Sequence, residues 1–461
     1  SYTLVPPTAT AATSSSSSGG GAATATHVPA VGDGHAAGDV RMSPEERAEY
    51  EHRLRSHSSE ANPHEQHFQL HKKPAERHAT VLITVECVPY HDWQSVVSVM
   101  SLERLRDTYP DQQFNIHRII SCVDALVPEH GEGVRAKFRN HNLSEAIKSL
   151  SPYTLSPPMS PHPKTGYDFP TLNKPRALMS FVEGPGRDLP DDHELIITDP
   201  DFLFINRIPL GSSRLGHAVS GHYLMGWQWS QEENIIKHCQ GKCKHLTKDD
   251  IEKNWLLGPP LLVRMGDFRK LAPHWLNITE AMVLDGDKGK SYGVPGGWLA
   301  DMFAYIMGAV IENVPHTLRQ DMFVSDTSEA EWAKLTLNGY RTWIAIHFCQ
   351  DYDVRSIIGP PYNFRFNKHN WHERAPKPPT LLSCDADTQL SMWKTNTGGQ
   401  FNPPPELDLP HPPNVTWRAE RWEAGLIAEA KKTRVLWLLW HIKHSFDAYF
   451  AEYRRRYCPH E

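Results

Sequence analysis

Two aspartates, Asp199 and Asp201, stand between two apolar runs of the kind that form buried β-strands. The first run covers residues 194–197 and the second covers residues 202–205. Carboxylates at the end of a buried strand are costly unless a counter-charge or hydrogen bonds neutralise them. A divalent cation that carries a nucleotide diphosphate would do so, since hard cations take carboxylate and phosphate oxygens together. The alternative is an ordinary turn, which Asp-Pro commonly opens.

Composition argues against two kinds of partner. The 461 residues carry a net charge of −6, so no overall basic field points to nucleic acid. No apolar run approaches the roughly 18 residues that a membrane-spanning helix needs, and we expect membrane association only through a segment absent from this chain. Sequons at Asn142, Asn277 and Asn414 are compatible with the secretory pathway.

The seven cysteines leave at least one thiol unpaired within a monomer. Cys239 and Cys243 lie in a stretch bounded by His238 and His245 that looks like a zinc knuckle. Its spacing differs from that of common structural zinc sites. The sequence therefore favours a local disulfide or two free thiols over a zinc ion.

Three segments of different composition follow one another along the chain. Residues 1–75 are rich in Ser, Gly and Ala and cannot bury enough apolar surface to fold, so we expect a disordered stem. Residues 76–400 form the predicted globular domain. Residues 401–461 form a predicted Pro-rich linker and C-terminal helical extension, with a helical pattern over 417–457.

The globular part opens with a strand, helix and strand. The three patterns cover residues 80–85, 93–109 and 114–120. Later segments predict strands over 259–264 and 343–348 and helices over 265–271 and 298–311, with an irregular Pro-rich active-site loop over 151–170. This order predicts an α/β fold with a nucleotide-binding, Rossmann-type sheet. No Gly-x-Gly-x-x-Gly follows the first strand, which argues against dinucleotide binding.

Six blocks in a fixed order resemble the plant and algal hydroxyproline O-arabinosyltransferases. The resemblance runs from about residue 80 to residue 382. The blocks are Pro89-Tyr90 with Trp93-Gln94, Asn173-Lys174-Pro175, Asp199-Pro200-Asp201, residues 271–279, residues 297–305, and residues 346–352 leading to 364–368. The stretch 271–279 is similar to a Pro-x-Trp-Met-Asn-Val-Ser sequence and is the most distinctive. Asp301 stands where the family usually has Glu.

The family consists of Golgi enzymes with a GT-A-like sheet, which the resemblance places over residues 76–400 as the catalytic domain. It implies retaining transfer of L-arabinofuranose from UDP-arabinofuranose to hydroxyproline of hydroxyproline-rich glycoproteins, with Mn²⁺ as cofactor. It also implies the Golgi lumen, as the ectodomain of a type II membrane protein.

The chain departs from the family over residues 219–226 and 258–260, where donor sugar and acceptor would be sensed. A peptidyl-serine galactosyltransferase, or another UDP-sugar transferase acting on cell-wall-type proteins, is therefore an alternative. A catalytically silent binder of the same fold is a third hypothesis, against which the intact aspartate pair and His347 argue.

The resemblance implies a metal site with three protein ligands. Asp201 is expected to bind the metal directly, and Asp199 to bind the ribose or reach the metal through water. His347, at the end of a predicted strand, is the expected third ligand and would act as a neutral imidazole. The alternative for His347 is a buried structural histidine.

Other side chains are expected to bind the donor or the acceptor. Lys368 and Arg365 would close over the diphosphate, or else form a surface turn. Asp301 is the expected catalytic carboxylate near the acceptor or reacting sugar, or else an acid that stabilises a helix N-terminus. Val85 and Tyr90 at the end of the first strand would contact the uridine end of UDP.

A few further residues have both a binding role and a structural alternative. Lys174, before the metal-binding strand, is a further expected donor contact. Trp298, Trp275 and Tyr305 could stack on sugar or proline rings, or belong to the core.

Overall fold

The strand β1 (Ala79–Glu86) lies inside the main sheet, and all of its residues are buried, as its continuous apolar run predicted. The computed structural model describes residues 79–122, 143–223, 225–286, 293–337, 342–353, 365–368, 382, 384 and 424–458. The predicted stem and the Pro-rich residues 401–423 lie outside these ranges, and the two boundaries between the three predicted domains stay predictions.

The described strands form one large sheet and two small ones. After β1 they are β2 (Asn115–Ser121), β3 (Tyr153–Ser156), β4 (Glu194–Thr198), β5 (Phe202–Phe204), β6 (Ala218–His222), β7 (Leu257–Arg264), β8 (His316–Arg319), β9 (Phe323–Val324), β10 (Ala345–His347), β11 (Asp351–Asp353) and β12 (Arg365–Asn367). The large sheet has the order β3–β2–β1–β4–β7–β6–β8, and β7 alone among its described strands runs antiparallel to its neighbours. The small sheets are β5–β10–β9 and β11–β12. The predicted α/β fold with a mostly parallel sheet is confirmed.

Helices cover both faces of this sheet. They are α1 (Pro89–Thr108), α2 (Glu145–Ser149), α3 (Asn173–Glu183), α4 (Glu233–Ile236), α5 (Lys248–Asn254), α6 (Met265–Leu284), α7 (Ala300–Ile311), α8 (Glu329–Leu337) and α9 (Ala424–Tyr457). Two expectations need correction. The helix predicted over 265–271 continues through Pro273 to Leu284, and the loop predicted over 151–170 contains the edge strand β3.

The strand order reverses between β1 and β4. From β1 the sheet grows outward through β2 to β3, and the chain then returns to place β4 on the other side of β1. The register pairs Ile83 of β1 with Thr198, the last residue of β4. Open α/β sheets bind ligands outside the carboxyl ends of their strands at such a switch point. Asp199 and Asp201, which follow Thr198, lie at this edge.

The C-terminal helix α9 packs into the core of the sheet domain. The ring of Phe446 lies 5.9 Å from that of Trp93 in α1 and 5.3 Å from that of Phe348, which follows β10. A disulfide between Cys384 and Cys458 ties the end of α9 back to the chain. The helix therefore supports the segment that carries His347.

Two further disulfides join cysteines within the described residues. Cys87–Cys122 links the residues that directly follow β1 and β2, and Cys239–Cys243 closes a short loop. The sequence favoured either a local disulfide or two free thiols over zinc at Cys239 and Cys243, and the structure has the disulfide. Disulfides persist in oxidising compartments such as the secretory pathway. No described helix is both long and apolar enough to cross a membrane.

His316, the first residue of β8, predicts how stability depends on pH. It is fully buried and bonded to the Tyr305 hydroxyl at 2.9 Å, and burial lowers its pKa to about 3. Since the unfolded chain binds the proton more readily, stability is lost as the pH falls below 6.5. We expect the free energy of unfolding to fall by about 2 kcal/mol, because of this group, when the pH is lowered from 7 to 5.

Denaturant unfolding at both pH values measures this effect. His316→Gln should lose less stability over that interval than the wild type. His245→Gln, at an exposed position, should show the wild-type loss, and equal losses in all three proteins would contradict the prediction.

Candidate active site

The turn after β4 brings Asp201 against two side chains from late in the chain. The Lys368 ammonium contacts Asp201 Oδ2, and His347 Nε2 lies 3.3 Å from the same oxygen. The pairing of β10 with β5 explains the second contact, because it places His347 opposite Phe202, the residue after Asp201. The two rings stack with centroids 4.4 Å apart. All three polar side chains are largely buried.

Charge neighbours overcome the effect of burial at this contact. Burial alone would raise the pKa of Asp201, but Lys368 and His347 hold it well below its usual range. Burial would likewise lower the pKa of His347, yet Cys349 and Asp201 raise it to about 10. The Lys368 pKa is raised despite burial, chiefly by Asp201. The carboxylate is thus ionised and neutralised by cations of the protein itself.

Asp199 forms a second ion pair, with Lys174. Lys174 Nζ, in the first turn of α3, lies 2.8 Å from Asp199 Oδ1. The same ammonium lies 3.3 Å from Asp301 Oδ2, close enough for an ion pair but without hydrogen-bond geometry. Burial raises the pKa of Asp301, which Lys174 opposes. Lys174 therefore joins the aspartate motif to the predicted catalytic carboxylate.

Asp201 Oδ2 and His347 Nε2 lie close enough to share a metal ion, at 3.3 Å from one another. The raised pKa of His347 keeps its imidazole protonated in this ion pair, so Nε2 would bind a metal only after losing that proton. Asp199 does not join them, because Lys174 holds its carboxylate. Within the described ranges, no group of three or more His, Cys, Asp or Glu side chains is placed to hold a metal. The structure thus brings together two of the three predicted ligands.

The carboxyl end of β1 lies against this site. Tyr90 lies within electrostatic reach of Lys368 and Asp201, and burial raises its pKa to about 12. Val85 is 5 % exposed and packs in the core. Asn173 Nδ2 donates to Glu86 Oε1 at 2.6 Å, which fixes the end of β1 to the start of α3.

His91 is a site residue that sequence reasoning missed. The Glu86 backbone N–H donates to His91 Nδ1 at 2.8 Å, so the neutral ring carries its proton on Nε2. Burial lowers the pKa of His91, while the carboxylates of Glu86 and Asp201 act in the opposite direction. One sequence signal was available: Pro89 favours a helix that begins at this residue, and such a helix places His91 in its first turn, next to the end of β1.

A small cavity opens beside the Asp199–Lys174 pair. Its other walls include Trp275, Met302 and Tyr305 of α6 and α7. Trp275 and Tyr305 are buried, and the Trp275 indole N–H donates to the backbone carbonyl of Asp301 at 2.8 Å. Trp275 and Tyr305 are therefore core residues, the structural alternative to stacking on a sugar or proline ring.

One of the two departures from the family, residues 258–260, lies at this cavity. Gly258 and Pro259 line it. Of residues 219–226, residue 224 lies outside the described part of the chain, as does the side chain of Arg365.

An α/β sheet with two aspartates at its switch point is typical of proteins that bind a ligand at the carboxyl edge of the sheet. Residues 79–318, just over half of the chain, match the N-terminal domain of the hydroxyproline O-arabinosyltransferase family. The chain belongs to that family. The matched range contains Lys174, both aspartates and Asp301, and ends before His347 and Lys368.

Named relatives share about a quarter of their residues with this chain. A peptidyl serine alpha-galactosyltransferase of Arabidopsis thaliana is 25% identical over 249 residues, 53% of this chain and 27% of its own. Hydroxyproline O-arabinosyltransferase 3 of the same plant is 25% identical over 241 residues, 51% of this chain and 60% of its own. The chain thus spans between about a quarter and three fifths of the length of these relatives.

Among solved structures, two glycosyltransferases are similar to this chain. The galactosyltransferase LgtC, in complex with donor and acceptor sugar analogues, has a TM-score of 0.31 and 12% identity, covering 59% of this chain and 87% of that one. The bifunctional glycosyltransferase WbbM has a TM-score of 0.32 and 13% identity, covering 60% and 46%.

Proposed function

We propose that the chain transfers L-arabinofuranose from UDP-arabinofuranose to hydroxyproline of hydroxyproline-rich glycoproteins, with retention of configuration. One observation carries the proposal: in a member of this family, Asp201 meets Lys368 and His347 at the switch point of the sheet. The disulfides support a lumenal, secretory-pathway location, and we place the protein in the Golgi lumen as the ectodomain of a type II membrane protein.

Each side chain of the site has a proposed task. Asp201 and His347 would hold Mn²⁺, which when bound supplies Lewis-acid stabilisation of the diphosphate. Lys368 would release Asp201 to this ion and contact the diphosphate oxygens, and Arg365 is proposed as a second diphosphate contact. Asp199 would bind the ribose or reach the metal through water.

Further groups would fix the nucleotide and the acceptor. Tyr90 and the β1 end at Val85 would flank the uridine, and Lys174 would contact the donor from the cavity side. Asp301 would orient the acceptor hydroxyl or stabilise positive charge that develops on the sugar.

The transfer breaks two bonds and forms two. The bond between the anomeric carbon and the β-phosphate oxygen breaks, and a bond from that carbon to the hydroxyproline oxygen forms. The departing phosphate accepts the hydroxyl proton, so UDP leaves and no separate strong base is needed. The cations around Asp201 favour this step because they stabilise charge on the leaving phosphate.

A second candidate is transfer of galactose to peptidyl serine. It is favoured by the similarity to a peptidyl serine alpha-galactosyltransferase and by the departure at Gly258 and Pro259, which line the cavity. A silent binder of the same fold is the remaining alternative.

A matrix of two donors and two acceptors tests these functions. UDP-arabinofuranose and UDP-galactose are each offered with Mn²⁺ and either a capped oligo(4-hydroxyproline) peptide or a serine peptide. We expect UDP release to be fastest for arabinofuranose with hydroxyproline, by about 10- to 200-fold over galactose. Chelation of the metal should abolish it.

Other results have distinct meanings. Galactosylation of the serine peptide would support the second candidate. UDP binding without metal-dependent turnover of either donor would support the third hypothesis, a catalytically silent binder of the same fold. The anomeric configuration of the product, read by NMR, checks retention.

A further inference from the structure

The imidazole of His91 carries a hydrogen-bond donor that the described part of the chain leaves unused. The Glu86 backbone N–H donates to His91 Nδ1 at 2.8 Å, so the proton of the neutral ring is on Nε2. Among the described residues, no group accepts a hydrogen bond from this nitrogen. The side chain is partly buried, and Nε2 is not one of the enclosed polar atoms that lack a partner. This donor is therefore open to a ligand.

The bond to the Glu86 backbone also decides what His91 can bind. A metal ion takes the lone pair of a neutral imidazole nitrogen. The lone pair of His91 is on Nδ1, where the backbone N–H already occupies it, and Nε2 offers a proton instead. His91 is thus suited to an acceptor oxygen rather than to a metal ion. Because the Nδ1 contact holds the ring, the donor is oriented before a ligand binds.

The neighbours of the ring place His91 at the candidate site. The charges of Asp201 and Lys368 both act on it, so the ring lies within electrostatic reach of that ion pair. Its centroid is 5.2 Å from that of the Tyr90 ring, the side chain proposed to flank uridine. Both residues lie in the first turn of α1. An aromatic face and an N–H donor therefore come from one turn beside the end of β1.

The charges around the ring select the kind of oxygen. Three carboxylates and one ammonium act on His91, those of Glu86, Asp92, Asp201 and Lys368. The balance is negative, and like charges repel, so an anionic oxygen is disfavoured at this donor. A neutral carbonyl or hydroxyl oxygen meets no such repulsion. In a nucleotide diphosphate these oxygens belong to the nucleoside, while the anionic oxygens belong to the diphosphate.

We propose that His91 Nε2–H donates a hydrogen bond to a neutral oxygen of the donor nucleoside, either a base carbonyl or a ribose hydroxyl. This inference rests on the proposed function, and it adds a binding residue to nucleoside recognition. The nucleoside would lie along Tyr90 and His91. The diphosphate would extend from there to Lys368 and the Asp201 side of the site.

Two substitutions separate the roles of the two ring nitrogens. Asparagine places its amide oxygen near the position of Nδ1, and glutamine places its amide N–H near that of Nε2. His91→Asn should therefore keep the acceptor for the Glu86 N–H but weaken UDP binding about tenfold, which corresponds to 1.4 kcal/mol, the loss expected for one hydrogen bond. His91→Gln should recover most of the affinity. It should also lower the urea midpoint of unfolding, because the Glu86 N–H loses its acceptor.

Isothermal titration with UDP and Mn²⁺ measures the affinities, and urea unfolding measures the stabilities. His245→Asn, at an exposed position, is the matched control and should bind UDP as the wild type does. Equal UDP affinity in wild type and His91→Asn would overturn the contact. So would equal losses of affinity in His91→Asn and His91→Gln, which indicate a purely structural role.

Competition titrations with uridine and 2′,3′-dideoxyuridine identify the oxygen. The loss in His91→Asn should be the same for uridine as for UDP, since the contact does not involve the diphosphate. The same loss with dideoxyuridine would assign the contact to a base carbonyl, and no loss with it would assign the contact to a ribose hydroxyl. A loss confined to UDP would overturn the proposal in favour of a phosphate contact.

The proposed function and this contact fail in different ways. If the wild type binds UDP with this dependence on His91 but transfers no sugar, the proposed function fails and the contact stands. If the wild type transfers sugar and its UDP affinity does not depend on His91, the function stands and the contact is overturned. Absence of UDP binding by the wild type would overturn both.

Discussion

The variant Asp201→Asn should transfer sugar at about one thousandth of the wild-type rate, the upper range for removing one preorganised electrostatic contact. Asp201 is the carboxylate that Lys368 and His347 share. The substitution removes the charge of a proposed metal ligand. It also removes the carboxylate that neutralises Lys368, the proposed diphosphate-binding cation. UDP release at saturating donor and Mn²⁺ measures the effect, and Mn²⁺ should no longer strengthen UDP binding to the variant.

Stability separates this catalytic effect from simple misfolding. Asp201→Asn leaves the Lys368 ammonium buried without its counter-charge, and we expect the free energy of unfolding to fall by about 3 to 5 kcal/mol. Adding Lys368→Met should restore most of that stability but no transfer, because a buried ion pair can be replaced by apolar groups at little cost.

A surface variant supplies the matched control. Asp111→Asn, which removes the carboxylate of an exposed pair with Arg207, should change neither stability nor rate by much. Transfer above a tenth of the wild-type rate in Asp201→Asn would show that Asp201 does not hold the metal.

The sequence predicted the parts of the fold whose signal is local. The β-branched run over 80–85 gave the buried strand β1, and the apolar run before Asp199 gave β4. The edge strand β3 was missed because the prolines around it mask a short strand that pairs with a neighbour on one side alone. Helix α6 was cut short at Pro273, although its buried face lets it continue.

The site residues chosen from the sequence stay predictions, and the contacts between them could not be predicted from the sequence. His347 could be chosen because it ends a strand, yet its position opposite Phe202 follows from the pairing of β10 with β5. The contact of Lys174 with Asp301 joins helices that lie far apart in the chain, and no periodicity encodes it. Such contacts depend on how α3 and α7 pack around the sheet.

A double-mutant cycle on Lys174 and Asp301 should give a coupling energy of about 1 to 3 kcal/mol, the range for buried residues in contact. Lys174→Met leaves Asp199 and Asp301 as like charges without the ammonium between them, so it should destabilise more than Asp301→Asn does. Adding Asp301→Asn to Lys174→Met should recover part of the loss, because one of the two carboxylates is then neutral. Chemical denaturation of the four proteins measures the cycle.

The exposed pair Lys237–Asp285, with its charged atoms 2.7 Å apart, is the control for that cycle. Its coupling should stay below about 1 kcal/mol because both side chains are solvated. In activity, Asp301→Asn should lower kcat by about 10²- to 10³-fold with little change in the UDP-sugar KM, as expected for a carboxylate that stabilises charge on the reacting sugar or orients the acceptor hydroxyl. A kcat within threefold of wild type would leave Asp301 as a partner of Lys174 that orders the site without touching the substrate. Equal coupling in the buried and exposed pairs would show that Lys174 does not organise these carboxylates at all.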